Sequence, residues 1–192
     1  MQVLKTRKGA TLVLLLAVAF GILFGTYRST MAEKKRVEAV FQEEMVELFQ
    51  LCADAGYNLC SIASRYLDQD EKFDEHLTNG GMIAVMRQYC DLAYTSGFDV
   101  MYDTPNLYFQ SNNGLTYNMP LLIEKLETKD LSDADAQHVR SLMQELNSWN
   151  YVIANNEAYH SAAAQFNEKT LGGLGKLLGI KPVAELEKEL RI

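Results

Sequence analysis

The stretch from Val37 to Tyr66, VEAVFQEEMVELFQLCADAGYNLCSIASRY, decides the fold of this chain. Its apolar residues recur at spacings of three and four, a period that indicates one face of a long helix. The recurring positions are Val37, Phe41, Met45, Leu48, Cys52, Ala55, Leu59, Ile62 and Tyr66. Gly56 weakens this helix slightly, because glycine is a poor helix former. We therefore predict a long bundle helix whose apolar stripe packs in a hydrophobic core and does not bind a ligand.

Upstream of this helix, Gly9–Tyr27 is a run of 19 residues without a charge, GATLVLLLAVAFGILFGTY. As a helix it would span roughly 28 Å, which is close to the thickness of a bilayer core. Three basic residues precede it in the arrangement of an export signal, which is either cleaved or retained. The best cleavage candidate, Thr30–Ala32, is a weak small-x-small match, so we favour retention. This predicts a basic tail over residues 1–8 and a transmembrane anchor over residues 9–27 that contacts membrane lipid.

The flanking charges do not decide the direction in which this span crosses the membrane. Three Lys or Arg residues precede the span and four follow it within residues 28–36, so the positive-inside rule gives no clear orientation. The signal-like start favours a cytoplasmic N-terminus. We therefore expect a single-pass protein of the cell membrane whose helical domain, residues 31–192, is extracytoplasmic.

The net charge of −7 is unevenly distributed along the chain. Residues 1–36 contain seven of the 18 basic residues and one of the 25 acidic residues. The remainder therefore contains 11 basic and 24 acidic residues, a balance of −13. Nucleic acids need basic surfaces, so this balance predicts that the domain has no nucleic-acid partner.

Between residues 68 and 117 the helical period is interrupted more than once. Asp68–His76 is strongly charged, which indicates a solvated stretch, and Asn79–Gly81 predicts a break or kink. Met82–Tyr94 resumes the apolar helical spacing. Ser96–Tyr117 loses it again and gathers glycine, proline and asparagine, so we predict the longest loop of the domain there.

Asn106–Ser111 within that predicted loop reads NLYFQS and resembles the core of a viral protease recognition sequence often added to recombinant proteins. That recognition sequence has glutamate at the preceding position, where this chain has Pro105. An engineered insertion and a coincidence would both explain the match. We assign the hexapeptide no biological function.

The C-terminal part is predicted to be helical up to a run of glycines. Met119–Leu126 predicts a short helix with Pro120 in its first turn. Ser132, followed three residues later by Asp135, resembles a helix N-cap, and a second long helix follows. Its single stripe consists of Val139, Leu142, Leu146, Trp149, Ile153, Asn156, His160 and Ala163. Four glycines within residues 172–179 predict its end, and Val183–Leu190 predicts a final amphipathic turn or two.

Two Glu/Asp-x-x-His units are the nearest approach to a metal site. Dinuclear sites in four-helix bundles use such units on different helices, together with further carboxylates. Glu157 with His160 and Asp135 with His138 fit the spacing but fall on one predicted helix. The two histidines would then lie roughly 33 Å apart, so they could not share a site. We interpret His160 as a structural histidine of the bundle.

The remaining candidates for chemistry also fail on spacing. Cys52 and Cys60 lie about 12 Å apart along one helix, too far for a disulfide, while Cys90 could reach one of them. We interpret all three as small packing residues. The glycine run at residues 172–176 lacks the first glycine and the Ser or Thr of a phosphate-binding loop. The acidic stretch at residues 68–73 lacks a ligand and the glycine of a calcium loop.

Two stretches resemble the LemA family of bacterial membrane-anchored helical proteins. In the first, Asn58–Thr78, the positions in or near the family pattern are Asn58, Leu59, Tyr66, Asp70 and Glu71. In the second, Tyr159–Pro182, they are the pairs Tyr159-His160 and Phe166-Asn167 and the apolar segment Lys176–Pro182. The departures from the pattern are Tyr57 for proline, Arg65 for glycine, Asn156 for arginine and His160 for asparagine.

This resemblance covers most of residues 9–187. It implies a helical bundle on one N-terminal anchor and implies no established enzyme activity. It therefore adds to the architecture and little to the mechanism.

The sequence as a whole predicts an all-α protein, an antiparallel bundle of about four helices following an N-terminal transmembrane helix. We expect a non-enzymatic scaffold or interaction protein with a protein partner, and assign no catalytic, cofactor-binding or metal-binding residue. The alternative is an extracytoplasmic four-helix-bundle sensor that binds a ligand between helices. We favour the scaffold because a sensor would need a second span or an output domain, and the sequence shows neither.

Overall fold

A computed structural model describes residues 7–69, 72, 81–94 and 104–183 of the chain. These residues form helices and connecting segments and contain no β-strand. The helices are α1 (Arg7–Glu44), α2 (Val46–Ala63), α3 (Met82–Leu92), α4 (Thr104–Glu127), α5 (Asp133–Ala154), α6 (Glu157–Leu171) and α7 (Gly173–Leu177). The predicted all-α class and the helical bundle after a long apolar N-terminal helix are confirmed.

Helices α2 to α5 form an up-down-up-down four-helix bundle. Antiparallel pairing of α2 with α3 follows from the contacts of Tyr57 with Asp91 and of Tyr94 with Asp54. Between α4 and α5, the side-chain amide of Asn150 donates a hydrogen bond to the Thr116 hydroxyl over 2.9 Å. The contacts of Phe49 with Phe109 and of Gly56 with Leu115 run parallel along α2 and α4, so each helix of the bundle is antiparallel to the one before it.

The hairpin formed by α1–α2 and α5–α6 extends this bundle toward the N-terminal span. Pairs along its length keep one antiparallel register: Glu33 with Lys169, Phe41 with Tyr159, Cys52 with Asn150 and Arg65 with Asp135. Both arms are interrupted, one at Met45 and the other at Asn155–Asn156. The register places these two interruptions at the same level of the hairpin.

Five aromatic side chains pack α1 and α6 against the bundle helices α2 and α4. Phe41 of α1, Phe49 of α2, Tyr108 and Phe109 of α4 and Tyr159 of α6 are all buried. Their ring centroids lie 5.2–6.5 Å apart, within the range of favourable edge-to-face and stacked packing. Each buried ring contributes roughly 1.5–3 kcal/mol by leaving water, so the cluster fastens α1 firmly to the bundle.

The predicted stripe of Val37–Tyr66 forms the core, as expected. Seven of its nine positions are buried, and Leu48 and Tyr66 pack against the core from its edge. The structure also explains Gly56 in the middle of α2. A Cβ atom there would lie 2.6 Å from the Cys90 sulfur and 2.8 Å from a Leu115 methyl, so any larger residue would have to displace the ends of these two side chains.

The loop predicted over Ser96–Tyr117 is wrong from Thr104 onward, because these residues belong to the 24-residue helix α4. Burial outweighs the weak helix propensity of its asparagines and glycine. The side-chain amide of Asn118 donates to the Gly114 carbonyl over 2.7 Å within the helix. The short helix predicted over Met119–Leu126 is the last third of α4, and Pro120 lies inside it.

The hexapeptide Asn106–Ser111 lies in α4, and three of its side chains are buried: Tyr108, Phe109 and Ser111. Tyr108 and Phe109 belong to the aromatic cluster. The Ser111 hydroxyl donates to the Tyr89 carbonyl of α3 over 2.7 Å. These side chains therefore contribute to the fold, whatever the origin of the match to a protease sequence.

The single helix predicted from Ser132 to Ala163 is wrong, because it is divided into α5 and α6. Its start is as predicted: the Ser132 hydroxyl accepts a hydrogen bond from the Asp135 amide over 3.2 Å. The division arises because Asn156 caps α6, accepting from the Tyr159 amide over 2.9 Å. Asparagine is among the strongest N-cap residues, and here its cap outweighs the continuous apolar stripe.

The glycine run ends α6 as predicted. Gly172 follows its last residue, and Gly179 adopts a positive φ of 68° after α7. The Gly179 and Ile180 amides donate to the carbonyls of Lys176 and Gly175, the pattern of a Schellman cap. Most of the charged stretch Asp68–His76, Asn79 and Gly80 of the predicted break, and Val183–Leu190 beyond its first residue lie outside the described residues.

Candidate functional site

The N-terminal half of α1 has an apolar surface that no other described part of the chain covers. Its most apolar 18-residue window has a mean hydropathy of 2.2 and is wholly unburied. Phe20, for example, is 71% exposed and stacks only on Phe24 within its own helix. One helix is thus long and apolar enough to cross a membrane, in agreement with the predicted anchor.

The covered part of α1 begins at Thr30. Its side chain is buried, and its hydroxyl donates to the Thr26 carbonyl over 2.9 Å, so its polar atom is satisfied inside the helix. One turn further, Glu33 forms an ion pair with Lys169 of α6. Within about two turns, α1 therefore changes from an exposed apolar helix to a helix that packs against the rest of the domain.

Two tyrosine–aspartate pairs cross between α2 and α3 on the bundle surface. Tyr57 donates to Asp91 and Tyr94 donates to Asp54, and the two rings lie 6.2 Å apart. Partial burial, together with the aspartate hydrogen bond, raises the pKa of Tyr94 to about 12 and raises the pKa of Tyr57 as well. Both phenols therefore remain protonated and can donate hydrogen bonds. This suits a structural link between the two helices and does not suit a nucleophile.

The three thiols lie in the core, and burial outweighs the influence of Arg87, which lowers the pKa of Cys60. All are free and buried, and burial raises the pKa of Cys52 and Cys90 to about 12 and of Cys60 to about 11. A thiolate is the reactive form of cysteine, so these shifts suppress reactivity near neutral pH. The interpretation of the thiols as packing residues agrees with this environment.

The two Glu/Asp-x-x-His units fall on different helices, contrary to the single helix expected for them. His160 is buried beside Tyr159, and its Nε2 lies 3.3 Å from the Ile153 carbonyl, whereas Glu157 is exposed in the first turn of α6. The geometry fits a structural histidine. In the part of the chain that the structure describes, no three His, Cys, Asp or Glu side chains are grouped so as to hold a metal ion.

Asp135 links two helices. The sequence predicts it only as part of the N-cap pattern that begins with Ser132. It accepts hydrogen bonds from the Tyr66 and Ser132 hydroxyls and forms a 2.7 Å ion pair with Arg65. The Tyr66 hydrogen bond, more than the contacts with Ser132 and Arg65, lowers the pKa of this carboxyl below its usual value. The carboxylate joins the end of α2 to the start of α5. Its contacts with Arg65 and Tyr66 link residues about 70 positions apart, so no local sequence pattern predicts them.

Asn167 is a second functional position whose role the sequence does not show. Its amide nitrogen donates to the Val183 carbonyl over 2.9 Å, and its oxygen accepts from the Val183 amide over 2.8 Å. This reciprocal pair holds the segment after α7 against α6.

Comparison of the chain with protein-family models, with curated proteins and with solved structures gives no match. The class of protein is therefore defined here by fold and surface alone: a helical bundle that continues from a helix able to span a membrane.

Proposed function

We propose that this chain is a membrane-anchored, non-enzymatic scaffold whose bundle presents a surface to a protein partner. The observation that supports it is the continuity of α1. Phe20 is 71% exposed and Phe41 is fully buried on the same unbroken helix. Such continuity mounts the bundle rigidly on the span, which suits a protein that positions a partner at a membrane. The sequence resemblance to the LemA family supports the same architecture, and we propose a distant relationship.

Two exposed tyrosines are the best candidates for contact with that partner. Tyr117 on α4 is 72% exposed and Tyr151 on α5 is 64% exposed. Each is adjacent in sequence to one member of the Thr116–Asn150 hydrogen bond that joins these helices. Tyrosine is enriched among the residues that dominate binding energy at interfaces, and charged residues are depleted there.

The test is purification of the full chain from native membranes, with identification of what accompanies it in stoichiometric amount. The scaffold proposal expects one protein partner, which the double substitution Tyr117→Ala/Tyr151→Ala releases without changing the melting temperature. Gln144→Ala, at an exposed position of α5, is the matched control and retains the partner. Absence of any stoichiometric partner in membranes where the chain is abundant would contradict the proposal.

The alternative, a ligand-binding sensor, has one observation in its favour. A surface groove between the end of α2 and the start of α3 is lined by Ser64, Ile83, Arg87, Gln88 and Asp91. Its mixture of charges and one apolar side chain could orient a small polar molecule. A rise in melting temperature with a small-molecule fraction, lost in Arg87→Ala and without any partner protein, would favour the sensor over the scaffold.

The predicted extracytoplasmic orientation belongs to the same proposal. Protease added to intact cells should digest the bundle if it lies outside the cytoplasm, and should digest a cytoplasmic control protein only after lysis. Protection of residues 40–192 in intact cells would reverse the orientation and leave the anchor itself unaffected.

A further inference from the structure

The short helix α7 lies against the last apolar turn of the proposed span. Leu174 and Gly175 line a groove together with Thr26 and Thr30 of α1. Just beyond it, Ile180 and Lys181 line a second groove with Tyr27 and Met31. Gly175 is packed so tightly that a Cβ atom there would lie 2.6 Å from the Lys169 carbonyl oxygen. Close backbone packing therefore fixes α7 against the end of α6, and α6 is itself paired with α1 through Lys169 and Glu33.

At this position α7 directs leucines away from the protein. Leu177 is 72% exposed, Leu174 is 41% exposed, and Leu171 at the end of α6 is 68% exposed. Leu174 and Leu177 are three residues apart, so they share one face of α7. Leu174 lines a groove with Gly25 and Thr26, and their sequence neighbours Phe24 and Tyr27 are 54% and 44% exposed. The leucine surface therefore lies beside the end of the exposed apolar run of α1.

Basic residues surround the same level of the molecule. Lys176 and Lys181 are exposed on the α7 side, and Arg28, Lys35 and Arg36 are exposed on α1. The rest of the chain is acidic, so this is a positive zone on a negative protein. Leucines pointing outward among basic residues, at the end of a span, have the composition of a helix that lies in a membrane interface.

We propose that α7 is an interfacial helix, which inserts Leu174 and Leu177 into the headgroup region of the bilayer where α1 leaves it. Lys176 and Lys181 then contact anionic lipid headgroups. The inference rests on the proposed membrane anchor, and it adds a second membrane contact that fixes the height of the bundle. The occupant of the leucine surface is lipid because the surface begins where the span ends.

The test uses the full chain in vesicles of phosphatidylcholine with about one-third phosphatidylglycerol. Spin labels are placed singly by Leu177→Cys, by Leu16→Cys in the span and by Tyr117→Cys on the bundle. Accessibility to oxygen, which concentrates in lipid, is compared with accessibility to a water-soluble nickel chelate. Labelling of the unsubstituted chain, whose three cysteines are buried, gives the background signal.

We expect the label at Leu177 to be at least about threefold less accessible to the nickel chelate than the label at Tyr117. Equal accessibility at these two positions, with Leu16 in lipid, would overturn the interfacial helix and leave the anchor standing. A label at Leu16 that is accessible to the chelate would overturn the anchor and with it this inference.

A second part of the experiment tests the contact between the lysines and anionic headgroups. Removing phosphatidylglycerol, or substituting Lys176→Gln/Lys181→Gln, should raise the chelate accessibility at Leu177 by about twofold. Arg140→Gln on α5 is the matched charge control and should leave it unchanged. If neither change alters the accessibility at Leu177, the contact with anionic lipid is wrong.

Discussion

Gly114 marks the closest contact between α3 and α4. A Cβ atom there would lie 2.1–2.4 Å from three ring atoms of Tyr89, including Cγ, so the ring could make room only by a change of χ1 or a shift of the Tyr89 backbone. The absence of a side chain at this residue therefore sets the spacing of two helices. The local cost of glycine in a helix is small compared with the overlap that any other residue would create.

We expect Gly114→Ala to destabilise the protein by about 1–3 kcal/mol, because overpacking outweighs the gain in helix propensity. Chemical unfolding of the full chain in detergent, followed by far-UV circular dichroism, measures the difference. Gly21→Ala is the control, since nothing lies within 4 Å of the Cβ atom added there. Unchanged stability of Gly114→Ala would show that Tyr89 can be displaced at little cost.

Asp135 makes the stability of the bundle dependent on acidity. Its folded-state pKa is lowered from 3.8, so the folded chain binds this proton less readily than the unfolded chain does. The stabilisation is complete above the unfolded pKa and is lost as the pH falls through the folded pKa. We expect the melting temperature of the native chain to exceed that of Asp135→Asn at pH 6, and the difference to shrink steadily toward pH 3. A difference independent of pH would mean that the carboxylate charge has no part in the junction.

At the scale of elements, the division between α5 and α6 depends on a single cap. We expect Asn156→Ala to cost about 1 kcal/mol of stability, because the Tyr159 amide loses its side-chain acceptor. Asn156→Asp, which retains an acceptor oxygen, should be close to the native chain. The measurement is chemical unfolding of both variants, and equal losses in the two would assign the effect to something other than the cap.

The helical conformation of Asn106–Ser111 and the burial of Tyr108 and Phe109 predict resistance to the viral protease that recognises NLYFQS. Proteases bind extended chain, and here Tyr108 and Phe109 would have to leave the core first. We expect the native chain to remain intact, whereas a copy of the complete recognition sequence appended after Ile192 is cut. Cleavage after Gln110 in the folded protein would show that this part of α4 opens readily.

The elements that the sequence predicts well are those whose signal is repeated. The stripe from Val37 to Tyr66 has nine members, and the span has 19 consecutive uncharged residues, so single exceptions such as Gly56 do not obscure them. α4 was missed because Gly114 and Pro120 are local signals for a break, while the burial that overrides them depends on α3. The division at Asn156 was signalled only by one asparagine before Glu157.

The contacts of the candidate sites could not be predicted, for a related reason. Tyr57 and Asp91 are 34 residues apart in the sequence, and Asn167 and Val183 are 16 apart. Both contacts depend on how the two segments are aligned with each other. Residue type alone does not give that register. The position of the α7 leucines beside the span likewise depends on packing between helices far apart in the sequence.

At the scale of the whole molecule, the three thiols report on the opening of the bundle. Cys52 and Cys60 lie in α2 and Cys90 lies in α3, all buried with a raised pKa. We expect no rapid reaction with a disulfide reagent at pH 8 in the native chain, and reaction of all three after denaturation. Tyr117→Cys should add one rapidly reacting thiol. Rapid reaction of a native thiol would reveal local opening between α2 and α3.

The unbroken passage of α1 from the span into the aromatic cluster has a mechanical consequence. The hairpin from Tyr27 to Arg65 reaches about 60 Å at helical rise, and it cannot swivel at the membrane surface as a domain on a flexible linker would. Transmembrane helices tilt by about 20° on average, more when the bilayer is thin. Such a tilt displaces the far end of the bundle sideways by about 20 Å. With α1 anchored as proposed, the outer end of the bundle would therefore shift sideways with the thickness of the bilayer.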